Sequence, residues 1–249
     1  MAGVGGLAVW PAGACWCSAC SMVGHAREAW LPRLRYPLLV NRRIDPAAAV
    51  AHLSRDAVMA GVIETVGPFR GWPPSTDPFR ALSRSVIFQQ LSGKAAGTIF
   101  RRFIGLWGLE DEAFPLPHQV LAASDDDLRG AGLSRQKAAS VRSLAEHFAS
   151  GELSLEHFDA WDDEEIIAHL TRVRGVGRWT AEMFLMFHLG RPDVLPVNDV
   201  GINRAMLKQY RLDALPKPAD VLRIGENWRP WATVACWYLW RSEDVTDPG

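Results

Sequence analysis

Asp199 is the residue in this chain best placed to do chemistry. It follows the loop segment Leu195-Pro196-Val197-Asn198 and stands directly before a helical pattern of apolar residues that begins at Val200. A carboxylate in such a place can stabilise positive charge on a substrate, or it can orient or deprotonate a water molecule. Aspartate is also a common N-cap, whose side chain accepts hydrogen bonds from the first amides of a helix. Residue type and position leave both roles open.

A helix-turn-helix pattern lies just upstream, in residues 163 to 188. The first apolar helical period ends at Gly175-Val176-Gly177, and a second begins at Trp179. Glycines permit positive φ and close backbone approach, so we expect the amides of the turn to face outward, where they could bind a phosphate. An ordinary αα-hairpin with a glycine turn fits the same pattern. The predicted phosphate-binding residues are Gly175, Val176, Gly177, Arg178 and Thr180.

Two adjacent glutamines end another predicted helix, which starts at Asp77-Pro78. Residues 85 to 96 read SVIFQQLSGKAA. When a base is extruded from a duplex, a mid-sized polar side chain can fill the gap and hydrogen-bond the orphaned partner base. A glutamine pair can also simply cap the end of a helix.

Together these motifs resemble the helix-hairpin-helix superfamily of base-excision DNA glycosylases, and the glutamine segment resembles its 3-methyladenine DNA glycosylase II branch. The resemblance covers about residues 50 to 242, including the sequence Trp228-Arg229-Pro230-Trp231 before the last helix. It implies an all-α, bilobal fold with the active-site cleft between two helical lobes. It further implies that Asp199 is the catalytic aspartate and that Gln90 is the wedge, the residue that enters the gap left by the flipped base.

Position 179 narrows the reaction that the resemblance implies. Superfamily members that also cleave the strand carry a lysine there, which attacks the sugar as an amine nucleophile, whereas this chain has Trp179. An indole cannot form a Schiff base, so we expect a monofunctional enzyme that leaves an abasic site. The face of an indole also attracts cationic rings such as 3-methyladenine and 7-methylguanine.

The expected base pocket consists of Trp179, Trp240, Met183 and Trp72. Trp240 aligns with a second pocket aromatic of the family, and Trp72 is a candidate for a wall, although both residue types are common in cores. The alkylpurine prototype has a tyrosine one turn past Trp179, where this chain has Met183. That difference leaves the range of lesions open.

No redox cofactor is expected. Only Cys236 lies where the endonuclease III branch has a four-cysteine motif, so the sequence predicts no iron–sulfur cluster. Cys15, Cys17 and Cys20 could offer thiolates to a metal, with His25 as the remaining ligand, which is a weak pattern. By resemblance, a monovalent cation bridging to DNA phosphate would be held by the main-chain carbonyls of Thr171, Val173 and Val176.

Charge neither demands nor excludes a nucleic-acid partner. The 249 residues carry a formal net charge of −1 and are 48% hydrophobic. Residues 84 to 104 nevertheless contain four basic residues and no acid, and residues 171 to 211 contain seven basic and three acidic residues. These basic segments flank the predicted site. The resemblance implies double-stranded DNA with damaged bases as the partner, and we expect the protein to be a monomer.

The sequence predicts no membrane association, because no apolar run reaches the ~20 residues that span a bilayer. Cysteine usage favours a reduced intracellular setting, cytoplasmic and nucleoid-associated in a bacterium or nuclear in a eukaryote. Residues 1 to 40 lack periodicity and are expected to form a poorly ordered extension. Residues 41 to 242 are expected to form the glycosylase domain, followed by a fraying tail at 243 to 249.

The sequence therefore predicts a monofunctional DNA glycosylase that flips alkylated purines and hydrolyses their N-glycosidic bond in base excision repair. One alternative is a glycosylase of the same superfamily for another lesion, such as uracil, hypoxanthine or a mismatched base. A second is a DNA-structure binding module that has lost its chemistry. The presence of Asp199 argues against the second alternative.

Overall fold

The computed structural model describes residues 44–72, 75–110, 113–153, 155, 158 and 160–246. Within these ranges the chain is helical and forms no strands, which confirms the all-α class. The predicted extension, with its three cysteines and His25, lies outside the described residues. The helices are α1 (Pro46–Leu53), α2 (Ala57–Val66), α3 (Pro78–Phe88), α4 (Gly93–Gly105), α5 (Pro117–Ala122), α6 (Asp125–Gly130), α7 (Arg135–Ser150), α8 (Asp163–Leu170), α9 (Arg178–Phe187), α10 (Val200–Gln209), α11 (Pro218–Gly225) and α12 (Ala232–Thr246), with a short 3-10 turn at Glu226–Trp228.

The helices pack in two groups. In the first, α7 packs against α3, α5 and α6, and α3 also contacts α4 and α9. In the second, α12 packs against α2 and α10, and α1 contacts α2 and the 3-10 turn. The loop between α9 and α10 passes from one group to the other and ends at Asp199, so the predicted catalytic residue lies where the two groups meet. None of the described helices is both long and apolar enough to cross a membrane.

Side-chain caps decide where several helices begin. The sequence pattern predicts helix from His52 to Val66, and the structure divides this region between α1 and α2. The Asp56 carboxylate accepts hydrogen bonds from the amides of Val58 (2.8 Å) and Met59 (3.2 Å), which starts a new helix at Ala57.

Two other boundaries differ from the predictions. The segment Pro115 to Val120 was expected to be a turn, but a proline in the first turn of α5 lets the chain become helical from Pro117. At the carboxyl end, α12 continues past the predicted domain limit at residue 242 and reaches Thr246.

Candidate active site

Asp199 is buried at the amino end of α10. Its side chain caps the helix, because Oδ1 accepts a hydrogen bond from the amide of Ile202 at 2.8 Å. Two indoles also hold the carboxylate: Nε1 of Trp179 donates to Oδ2 at 2.7 Å, and Nε1 of Trp240 donates to Oδ1 at 3.0 Å. The residue is only 7% exposed. Three N–H donors from three helices therefore fix the orientation of one carboxylate.

Gly201 makes the bond from Trp240 possible. A Cβ at this position would lie 3.0 Å from Cδ1 and 3.1 Å from Nε1 of Trp240, and 3.2 Å from Oδ1 of Asp199. Such contacts are tighter than ordinary van der Waals packing. The absence of a side chain at Gly201 therefore lets the Trp240 indole lie across the first turn of α10.

A cleft of about 980 Å³ opens on the Trp240 side of Asp199. Trp72, Trp237 and Trp240 line it. Behind them, the Phe187 ring packs against Trp72 at 4.9 Å and against Trp240 at 5.8 Å between centroids. Asp199 itself does not line the cleft, but Trp240, which does, is hydrogen-bonded to its Oδ1.

The glycine turn between α8 and α9 packs tightly against α7. Gly175 has φ +84°, and a Cβ added there would lie 1.9 Å from Oγ and 2.4 Å from Cβ of Ser140. Gly177 is different: its φ is −91°, and no atom would lie within 4 Å of an added Cβ. Of these two positions, only 175 requires glycine, because its φ is positive and a Cβ there would overlap Ser140.

The amides of this turn are only partly available to a phosphate. The N–H of Val176 donates to the carbonyl of Val173 at 3.0 Å, so the prediction of an outward-facing Val176 amide was wrong. The first hydrogen bond within α9 runs from Ala181 to Gly177. The amides of Arg178, Trp179 and Thr180 precede that bond and form the positive end of the helix dipole.

The Arg178 side chain is engaged within the protein. Its guanidinium forms two hydrogen bonds with the Glu164 carboxylate on α8, and its Nε donates to Oε1 of Glu182 on α9 at 3.0 Å. The bond with Glu164 raises the pKa of Arg178. Burial raises the pKa of Glu182 to about 7, even with Arg178 beside it. Arg178 therefore joins α8 to α9, and its main-chain amide is the part that can face DNA.

The two glutamines have different surroundings. Gln89 directs its Nε2 to the carbonyl of Gly175 (3.0 Å) and to Oγ1 of Thr180 (2.7 Å), so the Thr180 hydroxyl is buried and occupied. Gln90 is exposed and has φ +57°, a left-handed conformation that turns the chain outward. Lys137 supports this loop, because its Nζ donates to the carbonyls of Ile87 (2.6 Å) and Gln89 (2.8 Å).

Met183 is separate from the other predicted pocket residues. It is 3% exposed and packs in the core, and it does not line the cleft. Trp72 and Trp240 do line the cleft, and Trp179 reaches the same carboxylate from the hairpin side. The structure thus brings together Asp199, Trp179, Trp240 and Trp72, and it leaves Met183 out.

Residues 83–230 match the family model of the HhH-GPD superfamily of base excision DNA repair proteins, where HhH denotes helix-hairpin-helix. The match contains both glutamines, the hairpin and Asp199. The chain belongs to the HhH-GPD superfamily.

Relatives of this HhH-GPD protein include DNA-3-methyladenine glycosylase 1 of Schizosaccharomyces pombe, which is 37% identical over 172 residues, or 69% of this chain and 75% of the relative. The alkylbase DNA glycosidase-like protein mag2 of the same yeast is 30% identical over 200 residues, 79% of this chain and 93% of the relative. A solved structure of the Schizosaccharomyces pombe 3-methyladenine DNA glycosylase in complex with abasic DNA superposes with a TM-score of 0.72 at 35% identity, covering 79% of this chain and 97% of the other.

Sequence reasoning missed three residues of the HhH-GPD site. Gln89 and Lys137 connect the glutamine loop to the hairpin and to α7, and Trp237 adds a third tryptophan to the cleft. Trp237 and Trp240 lie three positions apart near the end of a helix, a spacing that places two side chains on one face. That spacing could have indicated Trp237. The contacts of Gln89 and Lys137 join segments that are distant in sequence, so no local sequence pattern could have indicated them.

Proposed function

We propose that this protein is a monofunctional DNA glycosylase for alkylated purines such as 3-methyladenine and 7-methylguanine. It flips the damaged nucleotide out of double-stranded DNA and hydrolyses the N-glycosidic bond, leaving an abasic site for base excision repair. The observation that carries the proposal is the Asp199 carboxylate, buried beside an aromatic cleft and held by two indole N–H groups. The names of the relatives support the same substrate class.

Asp199 acts on the sugar. Cleavage of an N-glycosidic bond builds positive charge on the deoxyribose, and a fixed carboxylate stabilises that charge more in the transition state than in the ground state. A carboxylate has about four acceptor sites, and three here accept N–H donors. Oδ2, which accepts only the Trp179 bond, retains the capacity to face C1′ or the attacking water.

The leaving base stacks on the tryptophans of the cleft, and the basic side chains that also line it face the DNA backbone. A purine alkylated at N3 or N7 is cationic, and it is attracted to the faces of the tryptophan rings. Its charge also weakens the glycosidic bond, so the base leaves without strong assistance. A cleft built from Trp72, Trp237 and Trp240 is therefore sufficient without a dedicated proton donor to the base.

Strand cleavage is not part of the proposed reaction. The residue after Arg178 is a tryptophan whose Nε1 is bonded to Asp199, and an indole supplies no amine for a Schiff base. The product is then an intact strand with one abasic site.

The hairpin carbonyls suit a monovalent cation. The proposed ligands lie in the turn between α8 and α9, and neutral carbonyl oxygens bind hard cations. Thr171, Val173 and Val176 would hold the ion, which would link the turn to a DNA phosphate. The Val173 carbonyl accepts the Val176 amide and keeps a second lone pair for this purpose.

A lesion panel tests the substrate. Methylated DNA and duplexes containing 7-methylguanine, hypoxanthine, uracil or a mismatch are incubated with the protein, and released bases and alkali-labile sites are measured. We expect methylpurine release and strand breaks only after alkali. Uracil release without methylpurine release would contradict the substrate class, and breaks without alkali would contradict the monofunctional reaction. DNA binding with no base released from any duplex would favour the binding-module alternative.

We expect Trp240→Phe to slow base release by about 10- to 100-fold, because it removes one N–H donor to Asp199, and a hydrogen bond to a charged group contributes about 1.5–3 kcal/mol. Trp179→Phe should have a similar effect. Single-turnover rates on methylated duplex measure both.

Trp237→Phe is the matched control for these tryptophan variants. Trp237 lines the same cleft, but its buried Nε1 has no hydrogen-bond partner among the described residues. This variant loses ring volume without losing a bond to Asp199, so its rate should fall less. Equal losses in all three variants would show that ring volume matters and the N–H donors do not.

We expect Gln90→Ala to slow excision of paired lesions by about tenfold, because unstacking and unpairing a base costs a few kcal/mol that the intruding side chain offsets. Affinity for undamaged duplex should change little. The measurement is the single-turnover rate on the same lesion in a paired duplex and in a single strand. If paired and single-stranded substrates respond equally to the change, Gln90 is not the wedge.

A further inference from the structure

Basic side chains line the cleft next to Trp240. Lys94, Arg204, Lys208 and Arg241 line the cleft together with one acid, Glu243. The whole chain carries a formal net charge of −1. This excess of positive charge is therefore local, and it lies at the place where the flipped nucleotide must enter.

Arg204 and Lys208 form the centre of this basic surface. They are four residues apart on α10, so they project from the same face of the helix, and both are exposed. Arg204 approaches Glu243 only at the 4.0 Å limit, and its side chain is 68% exposed. A solvent-exposed ion pair with so long an N···O distance contributes little to stability, so Arg204 remains available to an anion.

Asp199 connects this surface to the hairpin. Trp179, at the start of the hairpin helix α9, bonds to Oδ2, whereas Trp240, which lines the cleft, bonds to Oδ1. A nucleotide whose sugar faces Asp199 is therefore close to both the hairpin and the basic surface.

At the start of α9 the hairpin offers main-chain amides, because the Arg178 side chain is bound to Glu164 and Glu182. Amides position a phosphate without neutralising a full charge. The cationic side chains of the cleft would add to the charge of Arg174, which is exposed in the hairpin turn.

We propose that Arg204 and Lys208, with Lys94 across the cleft, form a second phosphate-binding surface for the strand that carries the flipped nucleotide. Its ligands are DNA backbone phosphates of that strand. This proposal rests on the proposed function for the position of the nucleotide. It does not depend on which base is excised.

The salt dependence of binding to undamaged duplex tests this proposal. Each phosphate neutralised on B-form DNA contributes about 0.9 to the slope of log K against log salt concentration. We expect the Arg204→Ala/Lys208→Ala double variant to lower the slope by about 1.8 and to weaken binding at low salt. Lys208→Arg should keep the slope, and Glu243→Gln should tighten binding.

Arg129→Ala is the matched control. Arg129 is exposed on α6 and does not line the cleft, so its removal takes away one positive charge, half of what the double variant loses, without touching the proposed surface. A slope in the double variant that equals the slope of wild type, or of Arg129→Ala, overturns the proposal. The lesion panel tests the substrate class separately. If the double variant reduced the slope but the wild-type protein released no methylpurine, the phosphate-binding surface would stand and the proposed substrate class would be rejected. Thermal melting of each variant measures whether the fold is intact. We expect it to be, because alanine is a strong helix former.

Discussion

Asp199→Asn should slow the release of methylated bases by about 10³-fold, within the 10²- to 10⁴-fold range typical of a lost catalytic acid or base. The asparagine keeps an oxygen that can accept the Ile202 amide, so the cap persists. It has no negative charge to oppose the charge on the sugar. Its amide nitrogen then takes the place of Oδ2 and faces the Trp179 N–H, so that two hydrogen-bond donors point at each other. The measurement is single-turnover release from methylated duplex.

Thermal stability and DNA affinity separate this chemical effect from damage to the fold. Asparagine and aspartate are similar N-caps, so the free energy of unfolding should change by less than about 1 kcal/mol. Affinity for undamaged duplex should not fall, because the change removes a negative charge near DNA. Equal release rates for wild type and Asp199→Asn would remove Asp199 from the catalytic role.

Gly175→Ala should destabilise the protein by about 2–5 kcal/mol. The left-handed conformation at φ +84° costs a residue with a Cβ about 1–2 kcal/mol, and forcing extra volume into a packed contact costs about 1–3 kcal/mol. The new Cβ would lie 1.9 Å from Oγ of Ser140. Chemical denaturation measures the loss, and DNA affinity should fall with it because the turn must move away from α7.

Gly177→Ala is the control in the same turn. It has an ordinary φ and open space around the added Cβ, so only a weaker N-cap is expected, at less than about 1 kcal/mol. The double variant Gly175→Ala/Ser140→Gly should recover the steric part of the loss and keep the conformational part. If Gly175→Ala and Gly177→Ala lost equal stability, neither the positive φ nor the Ser140 contact would be important.

Local patterns predicted the parts of the site that are themselves local. The glycine turn interrupts two helical periods, and Asp199 precedes a third, so the hairpin and the cap could be recognised from spacing. The two indole bonds to Asp199 could not, because they join residues 20 and 41 positions apart whose approach depends on how α9, α10 and α12 pack. The sequence suggested ring faces for Trp179 and Trp240, and the structure adds the use of their N–H groups.

The side chains of the hairpin show what local patterns leave out. The Arg178 amide stays a predicted phosphate ligand, but its side chain is bound to Glu182, four residues later on the same helix, a pairing that the spacing could have indicated. Its other partner, Glu164, depends on the crossing of α8 and α9. Met183 lies one turn after Trp179, but the packing of the hairpin turns it into the core.

The bonds from Gln89 to Gly175 and Thr180 determine how the protein meets a duplex. Gln90 lies next to a residue that is bonded to the turn, so the separation between its backbone and the turn is set by contacts within the protein. If Gln90 enters the duplex and the turn binds a phosphate, as proposed above, this fixed separation determines how far apart on the DNA those two contacts lie.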